Sequence, residues 1–137
     1  MNARVPEKHS VSTSNAAALP KHFSPAIVGP ASGRLVFVSG MTAKRPDGSV
    51  AGLGDPGEQT VQVCENLASA LAAAGGTLAD VCEVTVFLRD IDHYQAVNNV
   101  RQQFFPAPPP ASTLVEVSRF VNDDYLVEIN AIAIVPE

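Results

Sequence analysis

The side chain best placed to do chemistry is Glu128, in Tyr125-Leu126-Val127-Glu128-Ile129-Asn130-Ala131-Ile132-Ala133-Ile134-Val135. Positions 127, 129, 131, 133 and 135 are all apolar, so strand alternation puts them together on one buried face. Glu128 and Asn130 then share the other face with Leu126, Ile132 and Ile134. A carboxylate flanked by branched apolar groups is partly desolvated, a setting that suits a general base or a group that holds a water. The same residue could instead pair with an arginine or a backbone amide across an interface, and periodicity does not separate the two. His9 and His22 fall in a polar N-terminal stretch and read as solvated, and His93 opens a helix as a surface residue. Cys64 and Cys82 are too few for a disulfide framework and are not spaced as a zinc clip. They read as two buried reduced thiols, Cys64 on a helical stripe and Cys82 on a strand face, with no cation near Cys82 in sequence.

The elements that must position these groups can be read from the same pattern. Residues 1–21 show no sustained period and predict a loose N-terminal arm, followed by one domain over residues 22–137. Leu35 to Gly40 predicts a strand. Residues 44–57, with their glycines and prolines, predict a turn at Asp47-Gly48 and a loop. Asp55-Pro56-Gly57-Glu58 predicts a helix start, with Asp55 as cap, Pro56 at the first helical position and Glu58 completing a capping-box-like pattern. Val61, Cys64, Leu67, Ala68, Leu71 and Ala74 follow at helical spacing, and Gly75-Gly76 ends the helix. Val81 to Leu88 predicts a strand, with Cys82, Val84, Val86 and Leu88 facing one way. Asp92 is the expected cap of a second helix that carries Tyr94, Val97, Asn98, Arg101, Phe104 and Phe105 and stops at Pro106. Residues 106–110 predict a stiff extended connector. Ser112–Phe120 and Tyr125–Val135 predict two last strands, with a turn at Asn122-Asp123-Asp124. The order strand, strand, helix, strand, helix, strand, strand is that of one α+β domain, with two helices on one face of a mixed sheet. The second face of such a sheet is partly apolar here, and a second copy of the chain is its expected cover.

Composition narrows the function classes. The chain has 137 residues, 46% of them hydrophobic and 17% charged, which excludes wholesale disorder. Its net charge of −5, with no basic block, argues against nucleic acid as a partner. No apolar run reaches the ~18 residues of a membrane span, and the N-terminus lacks the apolar core of a secretory signal. No membrane partner and a cytoplasmic location are therefore expected.

Several short segments then carry a family resemblance. Residues 35–40 (LVFVSG), 59–67 (QTVQVCENL), 73–76 (AAGG), 84–88 (VTVFL), 96–98 (AVN) and 126–133 (LVEINAIA) stand in the order and spacing of the Rid (YjgF-like) enamine/imine deaminases. The chain resembles that family from about Phe23 to Val135. The resemblance implies a chorismate-mutase-like α+β fold and a homotrimer whose sheets line a central barrel, with small-molecule clefts between subunits. It also implies hydrolysis of reactive imines and enamines with no metal or organic cofactor. By the same resemblance Glu128 matches the glutamate that positions water. Ser39 and Gly40 match the cleft-lining pair, and Asn98 matches a cleft asparagine. Phe87 of a neighbouring subunit, with Phe23 and Leu114, would supply an apolar wall.

Two positions depart from the family pattern. Phe23 stands where a tyrosine is usual, so a phenolic hydroxyl is missing. Ser112 stands where the family has an arginine that clamps the substrate carboxylate, and Leu114 where it has Cys or Thr. A serine replaces neither the charge nor the fork of donors of an arginine. Three readings follow. The chain could hydrolyse a non-standard imine or enamine that lacks the carboxylate. It could bind a small metabolite as a non-catalytic or regulatory trimer. Or another cation could replace the clamp, with Arg101 the candidate because it lies one helical turn from Asn98. The plainer expectation for Arg101 is a solvated helix arginine. A ribonuclease role finds no basic groove and no suitably placed His/His or His/Lys pair.

Overall fold

The computed structural model describes residues 7–14 and 21–137. Its elements are β1 (His9–Ser10), β2 (Ile27–Val28), β3 (Arg34–Met41), α1 (Pro56–Ala73), β4 (Val81–Leu88), α2 (Tyr94–Phe104), β5 (Ala111–Glu116) and β6 (Val127–Val135). Short 3-10 segments at Leu78–Asp80 and Ile91–His93 lead into β4 and α2. No helix among the described residues is long and apolar enough to cross a membrane.

The termini of α1 follow from local chemistry. The Asp55 carboxylate accepts a hydrogen bond from the Glu58 amide at 3.1 Å, and Pro56 fills the first helical position. The reciprocal half of the predicted capping box does not form, because the Asp55 amide is already bonded to the Gly52 carbonyl. At the other end Gly75 takes a φ of 84°, and the amides of Gly75 and Gly76 bond back to Ala72 and Leu71. This left-handed stop satisfies carbonyls that would otherwise be orphaned. Val63, Cys64, Leu67 and Leu71 are the apolar residues it buries, so the stripe runs through Val63 and not the predicted Val61. Each buried leucine contributes roughly 1.5–3 kcal/mol relative to exposure.

The four-stranded sheet has the order β3-β6-β4-β5. β6 pairs antiparallel with both β3 and β4, and β4 pairs parallel with β5 through the crossover helix α2. The sheet is therefore mixed, and β6 is central. Val127, Ile129, Ala131, Ala133 and Val135 are buried beneath the helices, as their alternation predicts. On the far side Leu35 and Phe37 are 62% and 72% exposed. That partly apolar face has no cover among the described residues.

Several boundaries differ from expectation. Among the described residues three strands precede α1, two of them only two residues long. β5 ends at Glu116, not Phe120, and β6 begins at Val127, not Tyr125. Both stop where β4 stops, since Leu88 is the last partner for Glu116 and for Val127. Asp92 does not cap α2. Asp90 caps the 3-10 segment instead, and α2 starts behind His93 without a side-chain cap. A register shift between Val81 and Glu83 moves Val81 into the core and leaves Cys82 half-buried. The connector 106–110 is not uniformly extended, because the Ala107–Pro108 peptide is cis. Part of the arm expected to be loose is fixed: His9 and Ser10 pair with β2, and the Val11 amide bonds to the Ala26 carbonyl at 3.0 Å. The rest of that arm, residues 1–6 and 15–20, lies outside the described residues.

Candidate functional site

A cleft of about 420 Å³ opens between α2 and β5, lined by His22, Phe23, Ile91, Tyr94, Arg101, Ser112 and Leu114. The parallel register of β5 on β4 sets Ser112 beside Val84 and Leu114 beside Val86, both of which are buried. Ser112 and Leu114 thus face the helices and not the open side of the sheet.

Arg101 is the centre of this cleft. It is only 1% exposed, against the expectation of a solvated helix residue. Its Nη1 donates to the Asn98 side-chain oxygen at 2.9 Å, and its Nη2 donates to Ser112 Oγ at 2.7 Å. The one-turn spacing of Asn98 and Arg101 makes the first contact possible. The short connection 105–110 from α2 to β5 brings the second, between residues eleven positions apart. Asn98 is itself buried, so it holds the guanidinium and does not face the cleft as a wall. No carboxylate among the described residues pairs with Arg101. Burial pushes its pKa down to about 10, which leaves it charged at neutral pH. Arg101 Nε and Asn98 Nδ2 are buried without a hydrogen-bond partner.

His22 and Phe23 line the cleft beside α2. His22 is buried, not solvated as its polar neighbourhood predicts. Its Nε2 lies 3.2 Å from the Tyr94 hydroxyl, and its ring meets Phe23 and Tyr94 edge-on at 5.1 and 5.7 Å. Burial, and then the positive charge of Arg101, hold the His22 imidazole below its ordinary pKa. Tyr94 brings a phenolic hydroxyl to the cleft that Phe23 lines without one. It precedes Arg101 by seven residues, two turns along the same helix face.

Glu128 belongs to a second group. It pairs across β6–β4 with Phe87, and Phe87 pairs with Val115 on β5, so it projects from the open face. The β3 register shifts between Val38 and Met41, and Ser39-Gly40 occupies that irregularity. A Cβ on Gly40 would lie 2.7 Å from Glu128 Oε2, so the missing side chain is the space the carboxylate fills. Asn130, also on this face, accepts a hydrogen bond from the Thr85 amide at 3.1 Å.

The structure therefore divides the predicted site residues. Phe23, Ser112 and Leu114 line one cleft, with Asn98 beneath it. Ser39, Gly40, Phe87 and Glu128 lie on the opposite face of the sheet. Sequence reasoning missed His22, Ile91 and Tyr94 as cleft residues. The seven-residue spacing of Tyr94 and Arg101 was the available clue.

Burial disfavours the thiolate form of both cysteines. Burial pushes the Cys64 pKa up to about 12 and raises that of Cys82 as well. Cys82 does have a cationic neighbour, Lys8 of the arm, which sequence distance conceals.

Fold and site together define a small α+β protein with a mixed sheet, helices on one face, and a small cleft of mixed polar and apolar lining where the crossover helix meets the edge strand. The endoribonuclease L-PSP family profile matches residues 13–135, and the chain belongs to that family, which is also known as YjgF or Rid. It is 38% identical over 126 residues to a RutC family protein of Pyrococcus horikoshii, spanning 92% of this chain and 97% of that one. Its structure resembles a conserved Rid-family protein of Yersinia pestis, with a TM-score of 0.86 at 27% identity over 95% of this chain and all of that one. A YjgF/YER057c/UK114 family member from Mycobacterium tuberculosis gives a TM-score of 0.67 at 31% identity, over 94% of this chain and all of that one.

Proposed function

We propose that copies of this chain assemble so that the Glu128 face of one meets the Arg101–Ser112 cleft of the next. In this reading the completed cleft hydrolyses a small reactive imine or enamine. The observation that supports it most is the division of the site. A carboxylate sits in room made by Gly40 on the open, partly apolar face, and a separate cleft of polar and apolar walls lies on the other. Neither half is a complete hydrolytic site, and a second copy covering the open face would also bury Leu35 and Phe37.

The chemistry asks little of the protein. Water adds to the C=N carbon, the resulting carbinolamine expels ammonia, and a carbonyl compound remains. Glu128 takes a proton from the attacking water and returns it to the departing nitrogen. A positioned acid–base group of this kind is worth roughly 10²- to 10⁴-fold. The test generates imines in situ with an amino-acid oxidase and follows their trapping by semicarbazide. Wild-type protein should suppress trapping, and Glu128→Gln should lose at least about 100-fold of that activity while keeping its fold and assembly. Wild-type protein that leaves imine trapping unchanged would refute the hydrolase and leave a binding protein.

A further inference from the structure

A second cavity lies apart from both halves of the proposed site. It measures about 740 Å³ and takes apolar walls from Pro30, Ala107, Pro108 and Ile134. Ile134 stands six residues beyond Glu128 on β6, roughly 20 Å along an extended strand. The Arg101–Ser112 cleft shares none of this lining.

One side chain here is a nucleophile that the proposed hydrolysis does not use. The chain has three lysines. Lys21 and Lys44 are exposed, whereas Lys8 is partly buried and lines the cavity. The pairing of His9 and Ser10 with β2 fixes the adjoining backbone. Lys8 Nζ donates to the Ala79 carbonyl at 3.2 Å, which holds the side chain in place. Burial lowers the Lys8 pKa from its ordinary 10.5, and the nearby Cys82 and Asp80 offset only part of that effect. Near neutral pH more of Lys8 is therefore the free amine than of a solvated lysine. A free amine that gives one hydrogen to Ala79 keeps its lone pair for an electrophile.

The rest of the lining selects the electrophile. Glu7, Asp80 and Glu137 place carboxylates around the cavity. An anionic ligand is repelled there, while a neutral one with an apolar body finds walls to match.

We infer that Lys8 is a covalent binding site for neutral aldehydes, which it holds as a Schiff base in this cavity. The amine nitrogen attacks the carbonyl carbon, and the C=O π pair moves to oxygen. One proton passes from nitrogen to oxygen to give a carbinolamine. The second nitrogen proton leaves with the hydroxyl as water, and C=N forms. No oxidant or reductant is consumed. The site stands apart from the Glu128 chemistry, and neither needs the other.

The test exposes the folded chain, at about pH 7, to benzaldehyde or to 4-carboxybenzaldehyde with cyanoborohydride, which reduces each Schiff base to a stable secondary amine. Peptide mass mapping then reads the three lysines separately. Benzaldehyde should label Lys8 at least about 10-fold faster than Lys21 or Lys44. It should also label Lys8 faster than the carboxylated probe does. The advantage of Lys8 should shrink as pH rises toward about 10, where the other lysines lose their protons too. Lys8→Arg keeps the charge and a donor for Ala79, and it should remove the fast labelling. Cys82→Ser should retain it, which separates amine from thiol. Equal labelling of the three lysines at neutral pH overturns the inference. So does equal labelling of Lys8 by the two probes, or an advantage that pH does not change.

Discussion

Gly40→Ala is the sharpest perturbation of the proposed water-positioning group, because it moves Glu128 without altering its charge. The added Cβ would lie 2.7 Å from Oε2, 2.8 Å from Cδ and 3.0 Å from Cγ of Glu128, whereas ordinary contacts begin at 3.4 Å. The carboxylate must therefore withdraw by about 0.7 Å or more, or swing to another rotamer. Displacement of a catalytic group by ~1 Å can cost on the order of 100-fold in rate, so a 30- to 100-fold loss of imine hydrolysis is expected. Stability should change little. Alanine gains roughly 0.5–1 kcal/mol over glycine within a strand, and the colliding atoms belong to a side chain that can give way. The assay is the oxidase-coupled semicarbazide trap, run beside thermal unfolding and sedimentation to check fold and assembly. The double variant with Glu128→Gln should be no slower than Glu128→Gln alone, since both act through one carboxylate. Turnover within twofold of wild type in Gly40→Ala would refute the reasoning.

Two further outcomes follow from buried side chains. Gln59 is wholly buried, donates to the carbonyls of Gly52 and Asp124, and accepts from the Leu126 amide at 2.8 Å; Gln59→Ala strands all three backbone groups and should lower stability by about 2–4 kcal/mol in urea titration, with a loss below about 1 kcal/mol counting against this tie. His22 is held neutral in the folded state below its ordinary pKa of 6.5, so the unfolded chain takes up its proton first as pH falls. Stability should decline below about pH 6.5, and His22→Gln should flatten that decline; parallel curves for the two proteins would show that His22 titrates alike in both states.

How much of this was legible in the sequence depends on where each contact comes from. The cap at Asp55, the stop at Gly75 and the buried face of β6 are local or periodic, and residue type decides them. The boundaries of β5 and β6 were misread because a ladder ends where its neighbour ends, and Leu88 lies far away in sequence. His22 looked solvated because the stretch before it is polar, while Tyr94, distant in sequence, packs against its ring. Arg101 looked solvated for a similar reason, since nothing in its own helix reveals that Ser112 arrives beside it. Reading Ser112 as a lost clamp treated one position as though it acted alone. The contact that qualifies that reading joins two elements, and no single motif contains it.

The strand order has a consequence for how the chain is made. β6 bonds to both β3 and β4, yet it is synthesised after every other strand of its sheet. The pairing of Arg34 with Val135 spans about a hundred residues. Until Val127–Val135 has left the ribosome, β3 has no partner within its sheet and the apolar faces of α1 and β4 lack a floor. Local helices and the β4–β5 pair can form early, but β3 joins the sheet only when β6 arrives. The nascent protein thus carries unpaired strand edges until β6 emerges, the condition in which a chaperone or a premature partner copy would find it.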